Sequence, residues 1–141
     1  TLAINLLLIL NLFRDCPYNT VLAQGIKPYT VEMNSDSLYQ NALSYLCNED
    51  YFIDCVDSSA GFIKAKKFTV VDKLLSVYKG QRTEVSMFIK PISERKSSIS
   101  VTTYIETLEH DESIIFHKEG LCNDSTLCMS IINGIISVKQ D

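Results

Sequence analysis

The chain has 141 residues, of which 46% are hydrophobic and 21% charged, and its formal net charge at pH 7 is −4. This composition supplies enough apolar side chains for the core of one ordinary domain and excludes intrinsic disorder. The acidic excess argues against nucleic acid as the main partner, because phosphate binding needs a clustered basic surface.

The N-terminal segment predicts a signal peptide over residues 1–23. Leu2–Phe13 is an apolar run, and it is shorter than the roughly 20 residues that span a bilayer. Val21 and Ala23 then place short residues ahead of a cut after Ala23, as in secretory signal peptides. Export to the periplasm or cell envelope is therefore expected, with no stable membrane span after cleavage.

Two other interpretations of the N-terminal segment stay open. The apolar run has the composition of a buried core helix, and Cys16 is a candidate lipid anchor. Arg14 and Asp15 stand where a lipidated cysteine requires small residues, which disfavours the anchor. With the signal peptide removed, residues 24–141 form a single α+β domain.

The first elements of that domain are a strand and a capped helix. Thr30–Met33 alternates as a strand, and Asn34–Ser37 supplies side-chain oxygens that cap a helix start. The helix is expected to end near Cys47. Its apolar stripe has helical spacing and consists of Leu38, Ala42, Tyr45 and Leu46.

A hairpin follows the helix. Tyr51–Val56 and Phe62–Val71 are predicted strands, joined by a turn in which Gly61 is free to take positive φ. The alternation changes parity at Lys66-Lys67, which predicts a bulge there. Asp72–Arg82 is either an irregular turn of helix or a strand extension.

Two clean strands and a second helix complete the domain. Residues 84–90 and 98–106 alternate between apolar and polar side chains, as in an antiparallel sheet covered on one side. His110–Asn123 is predicted to be a long connector. The last helix has an apolar stripe of Leu127, Ile131, Ile135 and Val138, and Gly134 within it allows a close approach to the sheet.

The order β-α-β-β-β-β-α predicts an α+β two-layer sandwich, with two helices on one face of an antiparallel sheet. Apolar positions of the helices should then face those of the two clean strands. The predicted core consists of Leu38, Leu46, Ile131, Ile135, Val85, Met87, Ile89, Ile99, Val101 and Ile105. On the opposite, open face the alternation places Ser86, Phe88, Ser100, Thr102 and Tyr104.

Four cysteines remain after cleavage: Cys47, Cys55, Cys122 and Cys128. In an exported protein they suggest disulfides, and four cysteines allow three pairings. The simplest is local, Cys47 with Cys55 and Cys122 with Cys128. Free, buried thiols are the rival interpretation, and a zinc site is disfavoured because the CxxC spacing is absent.

Two segments carry a family resemblance. Residues 34–46 look like the first-helix motif of small exported bacterial proteins of unknown function with a TBP-like fold, and residues 57–65 resemble their hairpin. The order of elements is also similar to that of BamC-like outer-membrane lipoproteins. The likeness covers Thr30 to Glu106 well and the last helix loosely. It implies a fold and an envelope location, and it implies no catalytic residues.

No motif for catalysis or for a cofactor stands out, so we expect a non-enzymatic module that binds or assembles with an unknown envelope protein. Its surface is the open sheet face, with Phe88 and Tyr104, or a sheet edge. The alternative is a metal-dependent or enzymatic protein that uses the His110–His117 connector with Asp111 and Glu112. A spacing of seven residues across a loop favours a solvated segment over a metal site.

Overall fold

The computed structural model describes residues 27–74, 77–111, 113–122 and 125–139, with side chains described for 27–70, 80–106 and 125–139. In chain order the elements are β1 (Tyr29–Val31), α1 (Ser35–Asn48), β2 (Phe52–Asp57), β3 (Phe62–Leu74), β4 (Val77–Ser93), β5 (Lys96–Asp111), β6 (Ser113–Cys122) and α2 (Ser125–Ile136). The class is α+β, as the sequence predicts. The predicted signal peptide and its cleavage site lie outside the described residues.

The six strands form one antiparallel sheet in the order β1-β5-β4-β3-β2. β5 is shared along its length, since its first residues pair with β1 and its last with β6. The predicted order has one strand too few, because the segment predicted to be a connector is β6. Charged residues from Glu109 to Glu112 hide the alternation there, although Ile114, Ile115 and Phe116 have side chains that favour strands.

The register also corrects two local predictions. β3 and β4 pair without interruption through Lys66 and Lys67, so the predicted bulge is absent there. Register shifts occur instead between Ile53 and Cys55 and between Val70 and Asp72. The uncertain segment after Asp72 is a strand extension, which makes β4 17 residues long.

Helix α1 begins and ends through local hydrogen bonds. The Asn34 side-chain oxygen accepts from the backbone N–H of Ser37 at 2.8 Å, which confirms the predicted cap. After the helix, Asp50 adopts φ 61°, a left-handed conformation that few non-glycine residues take. The Tyr51 N–H then donates to the Leu46 carbonyl at 2.8 Å, and the chain turns into β2.

Both helices contribute to one hydrophobic cluster with alternate residues of β3, β4 and β5. Nine of the ten predicted core residues are buried, and Ile105 is half-buried. The sheet contributes Ile63, Ala65, Val85, Met87, Ile89, Ile99 and Val101 to the cluster. These are the strand residues that the alternation predicts for the core, because successive strand residues point to opposite faces of the sheet.

Asn41 is a polar residue inside this cluster, with 3% of its surface exposed. Its amide nitrogen lies 3.4 Å from the carbonyl oxygens of both Ile135 and Val138. The last carbonyls of a helix have no partner within the helix. Asn41 of α1 therefore caps the end of α2 and fixes how the two helices meet.

Gly134 allows a close approach, but to α1 and not to the sheet as predicted. A Cβ atom at this position would lie 2.2 Å from the Tyr45 ring. The ring of Tyr45 therefore packs directly on the backbone of α2. Glycine costs about 1 kcal/mol relative to alanine in a helix interior, and this contact explains why α2 carries it.

We expect Gly134→Ala to destabilise the fold by about 1–3 kcal/mol through overpacking. In a Tyr45→Ala background the steric conflict is gone, so the same change should be neutral or stabilising. Urea unfolding of the wild type, both single variants and the double variant measures the coupling. Equal losses in both backgrounds would show that the Tyr45 ring does not control the contact.

Candidate functional site

The sheet has an outer face, which we define as the face opposite the hydrophobic cluster. Register pairs Phe62 with Phe88, Glu84 with Tyr104 and Ser86 with Thr102, so these residues share that face. In the three central strands the register places on this face Phe62, Lys64, Lys66, Phe68 and Val70 of β3, Gly80, Arg82, Glu84, Ser86, Phe88 and Lys90 of β4, and Ser98, Ser100, Thr102, Tyr104 and Glu106 of β5.

Phe88 and Tyr104, the predicted partner surface, both lie on the outer face and are half-buried. The Phe88 ring contacts the Phe62 ring, with centroids 4.8 Å apart. The face is less open than the alternation predicts, because Phe62 is fully buried and Ser86 is 7% exposed. The short Ser86 side chain lies in a central strand among longer neighbours, which accounts for its burial.

Ion pairs cross the outer face between neighbouring strands. Lys64 pairs with Glu84 at 3.1 Å, and Lys66 pairs with Asp54 of β2 at 2.9 Å. Arg82 pairs with Glu106, whose side chain is only 9% exposed. Three cations and three carboxylates are thus matched, and Lys90, opposite Ser98, adds one exposed cation to this face. The described residues of the face therefore present no strong field of either sign.

The outer face ends in an exposed apolar patch, which we call the edge patch: Phe52, Phe68 and Val70. Their exposed fractions are 71%, 59% and 59%. The Phe68 ring lies over Gly80, where a Cβ atom would be 2.6 Å from the ring. The sequence does not predict this patch, because Phe68 and Val70 fit an ordinary strand and their exposure depends on where β2 begins.

The cysteines do not form the predicted local pairs. Cys47 is an exposed thiol and Cys128 is a buried thiol, which rules out Cys47–Cys55 and Cys122–Cys128. Cys55 is disulfide-bonded, and the side chain to which it is bonded lies outside the described part. The Cys128 sulfur lies 3.8 Å from the Thr103 hydroxyl, so it gives that buried hydroxyl a polar contact.

His110 and His117 lie on paired strands and not on a connector. The register places His110 of β5 opposite Ile114 and His117 of β6 opposite Thr107. Their side chains lie outside the described part, as does the whole of Glu112. Among the described residues, no group of three or more metal-ligating side chains is gathered in one place.

A cleft of about 300 Å³ lies between the start of α1, the β2–β3 turn and the end of β4. Its lining consists of Ser35, Asp36, Tyr39, Gln40, Ser58, Ser59, Gly61, Ile89 and Pro91. The Tyr39 hydroxyl donates to the Phe62 carbonyl at 3.4 Å. Burial raises the pKa of Tyr39, with a smaller contribution from the Asp57 carboxylate. Hydroxyls, one amide and one carboxylate can donate and accept hydrogen bonds here.

The turn beside the cleft is held by Asp57 and Gly61. One Asp57 carboxylate oxygen accepts from the Ser59 hydroxyl at 2.6 Å, the Ser59 N–H at 3.0 Å and the Ala60 N–H at 3.1 Å. These bonds, the Ser59 hydroxyl first, hold the pKa of Asp57 below its usual value. Gly61 has φ 69°, as predicted, and a Cβ there would lie 1.9 Å from the Ile89 carbonyl oxygen.

The lowered pKa of Asp57 predicts a pH-dependent contribution to stability. It is present above the unfolded-state pKa of about 3.9 and is lost as the pH falls through the lower folded-state pKa. Asp57→Asn keeps the side-chain shape without the charge. The difference in unfolding free energy between wild type and this variant should therefore be larger at pH 7 than below pH ~3.

Urea unfolding across this pH range measures the difference. Glu94→Gln, in the exposed β4–β5 turn, is the control for the loss of one surface carboxylate. A wild-type advantage over Asp57→Asn that stays constant down to the acid end would contradict the assigned hydrogen bonds.

Comparison of the chain with protein-family models and with curated proteins finds no match. In the part of the chain that the structure describes, neither helix has the length and apolar character to cross a membrane.

Proposed function

We propose that this chain is a non-enzymatic exported envelope protein that binds another protein through the outer face of its sheet. In this proposal the domain is a two-layer sandwich, with both helices on one face and the other face left for a partner. The observation that carries it is the presence of two half-buried aromatic side chains, Phe88 and Tyr104, on the outer face, which continues toward the edge patch.

The character of the outer face supports a protein partner. Aromatic side chains are enriched in protein interfaces, where they supply much of the binding energy. The matched ion pairs leave little excess charge to attract a highly charged ligand. The TBP-like motifs of residues 34–46 and 57–65 and the BamC-like order of elements favour an envelope location and a non-catalytic role, and this resemblance remains part of the proposal.

Tyr104→Ala should weaken binding of the envelope partner by more than ten-fold, about 1.4 kcal/mol, if the outer face is the interface. The matched control is Tyr29→Ala. Tyr29 is a 41% exposed tyrosine of the same sheet that pairs with Ile99 and so lies on the helix-covered face. The measurement is capture of the partner from envelope extract, followed by titration of the purified pair.

Stability must be followed in the same variants. Tyr104→Ala should cost much less than Ile131→Ala, which removes a side chain 2% exposed and should cost about 2–5 kcal/mol. Equal, large losses for both would mean that Tyr104 belongs to a core. Unchanged capture by Tyr104→Ala would place the interface elsewhere.

Export predicts a mature chain that begins at Gln24, because the apolar run and the short residues ahead of Ala23 fit a cleaved signal peptide. Full-length protein expressed in a Gram-negative host should appear in the periplasmic fraction. Intact-mass analysis identifies the new N-terminus. An uncleaved product confined to the cytoplasm would refute export, and Ala23→Arg is the control that should block the cut.

A further inference from the structure

The disulfide partner of Cys55 can be identified by elimination among the cysteines. The chain has five cysteines, and Cys47 and Cys128 are free thiols. Cys55 is disulfide-bonded to a side chain outside the described part. Cys16 and Cys122 are therefore the two candidates for the other half of the bond.

The sheet keeps Cys122 far from Cys55. Cys122 of β6 pairs with Thr103 of β5, whereas Cys55 of β2 pairs with Lys64 of β3. The strands β6 and β2 are separated by β5, β4 and β3, so the two backbones are four strand spacings apart, or about 19 Å. The Cα atoms of a disulfide lie only about 4.4–6.8 Å apart. Cys16 is the cysteine that remains.

The chain is long enough to bring Cys16 to Cys55. Tyr29, the first residue of β1, pairs with Ile99 of β5 at the other edge of the sheet. From there Cys55 is about 19 Å away across the strands and about 10 Å away along them. Cys16 precedes Tyr29 by 13 residues, which can extend over about 45 Å. Because Cys55 lies opposite Lys64 on the outer face, the direct path crosses that face over β5, β4 and β3.

The outer face is buried along this path and exposed beyond it. Phe62 is fully buried and Phe88 is half-buried, although the hydrophobic cluster lies on the opposite face. Phe62 also interacts with a part of the chain outside the described residues. Farther along the same face of β3, Phe68 and Val70 are both 59% exposed. A cover over Phe62 and Phe88 accounts for this difference.

We propose that the N-terminal segment around Cys16 docks across the outer face, over Phe62 and Phe88, and is joined to Cys55 by a disulfide. The bond forms when the two thiols exchange with a small disulfide such as oxidised glutathione, which takes up two electrons and two protons and leaves as two thiols. The segment has apolar side chains on both sides of Cys16, as contact with two aromatic rings requires.

The docked segment would occupy the surface assigned above to an envelope partner, a consequence that rests on the proposed function. The uncleaved chain then blocks its own binding surface. Cleavage after Ala23 leaves the two pieces joined through Cys16 and Cys55. The outer face is therefore uncovered only when the disulfide is also reduced.

Peptide mapping tests the disulfide in the wild-type chain of 141 residues, refolded in a glutathione redox buffer so that no peptidase acts on it. Digestion without reduction uses a protease that cuts after glutamate. Cuts after Glu32 and Glu49 place the first three cysteines on separate peptides. We expect residues 1–32 to be linked to residues 50–84. Recovery of Cys55 as a free thiol, or its linkage to any other cysteine, overturns the inference.

The effective concentration of the two thiols, measured against glutathione, tests the docking itself. A flexible tether gives a value on the order of mM, and a docked segment should exceed it by about ten-fold or more. Phe88→Ala should lower the value by about five- to ten-fold, because it removes an aromatic contact. Phe52→Ala is the matched control, since Phe52 is 71% exposed and lies away from the path. A wild-type value at the tether level, or one that Phe88→Ala leaves unchanged, overturns the docking.

Cys16→Ser separates this inference from the proposed function. Cys55 should become a free thiol in that variant, and capture of the envelope partner should be stronger than by the oxidised wild type. Cys122→Ser is the control in which Cys55 stays bonded and capture stays weak. Equal capture by all three chains would show that the segment does not cover the interface. If none of them captures a partner, the proposed function fails, while the mapped disulfide and the effective concentration still decide the docking.

Discussion

The fold depends on one hydrophobic cluster, in which both helices bury side chains together with alternate residues of the central strands. Leu38 and Leu46 of α1 and Ile131 and Ile135 of α2 bury their side chains in the same cluster as β4 and β5. Burial of each such side chain contributes about 1.5–3 kcal/mol. Every second residue of each central strand points into this cluster. The residues between them therefore point to the outer face.

The lengths of the elements explain where the face that carries the hydrophobic cluster becomes exposed. α1 has 14 residues, so it is about 21 Å long. β4 has 17 residues, so it is roughly 55 Å long. A helix of this length cannot cover the whole strand. Thr69 of β3 shares the face of Ile63 and Ala65, and it is exposed because it lies beyond the hydrophobic cluster. The edge patch lies on the opposite face of the same stretch of β3.

The sequence predicts what depends on local periodicity and capping. It identifies both helices, the Asn34 cap, the positive φ of Gly61 and the strand residues that face the core. Each of these depends on residues that are close together along the chain. The sequence does not predict contacts between residues that are far apart along the chain. Gly134 contacts Tyr45 of the other helix, Asn41 reaches the end of α2, and β6 depends on pairing with β5 and not on its own alternation.

The same distinction applies to the candidate site, where some features follow from local alternation and others depend on distant contacts. Alternation alone places Phe88 and Tyr104 on the outer face, but it cannot show that Phe62 is buried there or that Arg82 and Glu106 neutralise each other. It also cannot show where β2 ends relative to β3, which depends on the turn at Asp50. That register, and no single residue, determines which backbone groups of the sheet are left for another strand.

The balance of charge on the outer face bears on what kind of recognition it supports. Lys64, Lys66 and Arg82 each have a carboxylate partner on the same surface. Their main effect is to leave a nearly neutral surface between aromatic residues. Under the proposed function, electrostatic steering of a partner is then weak, and apolar contact and strand pairing are the interactions that select it.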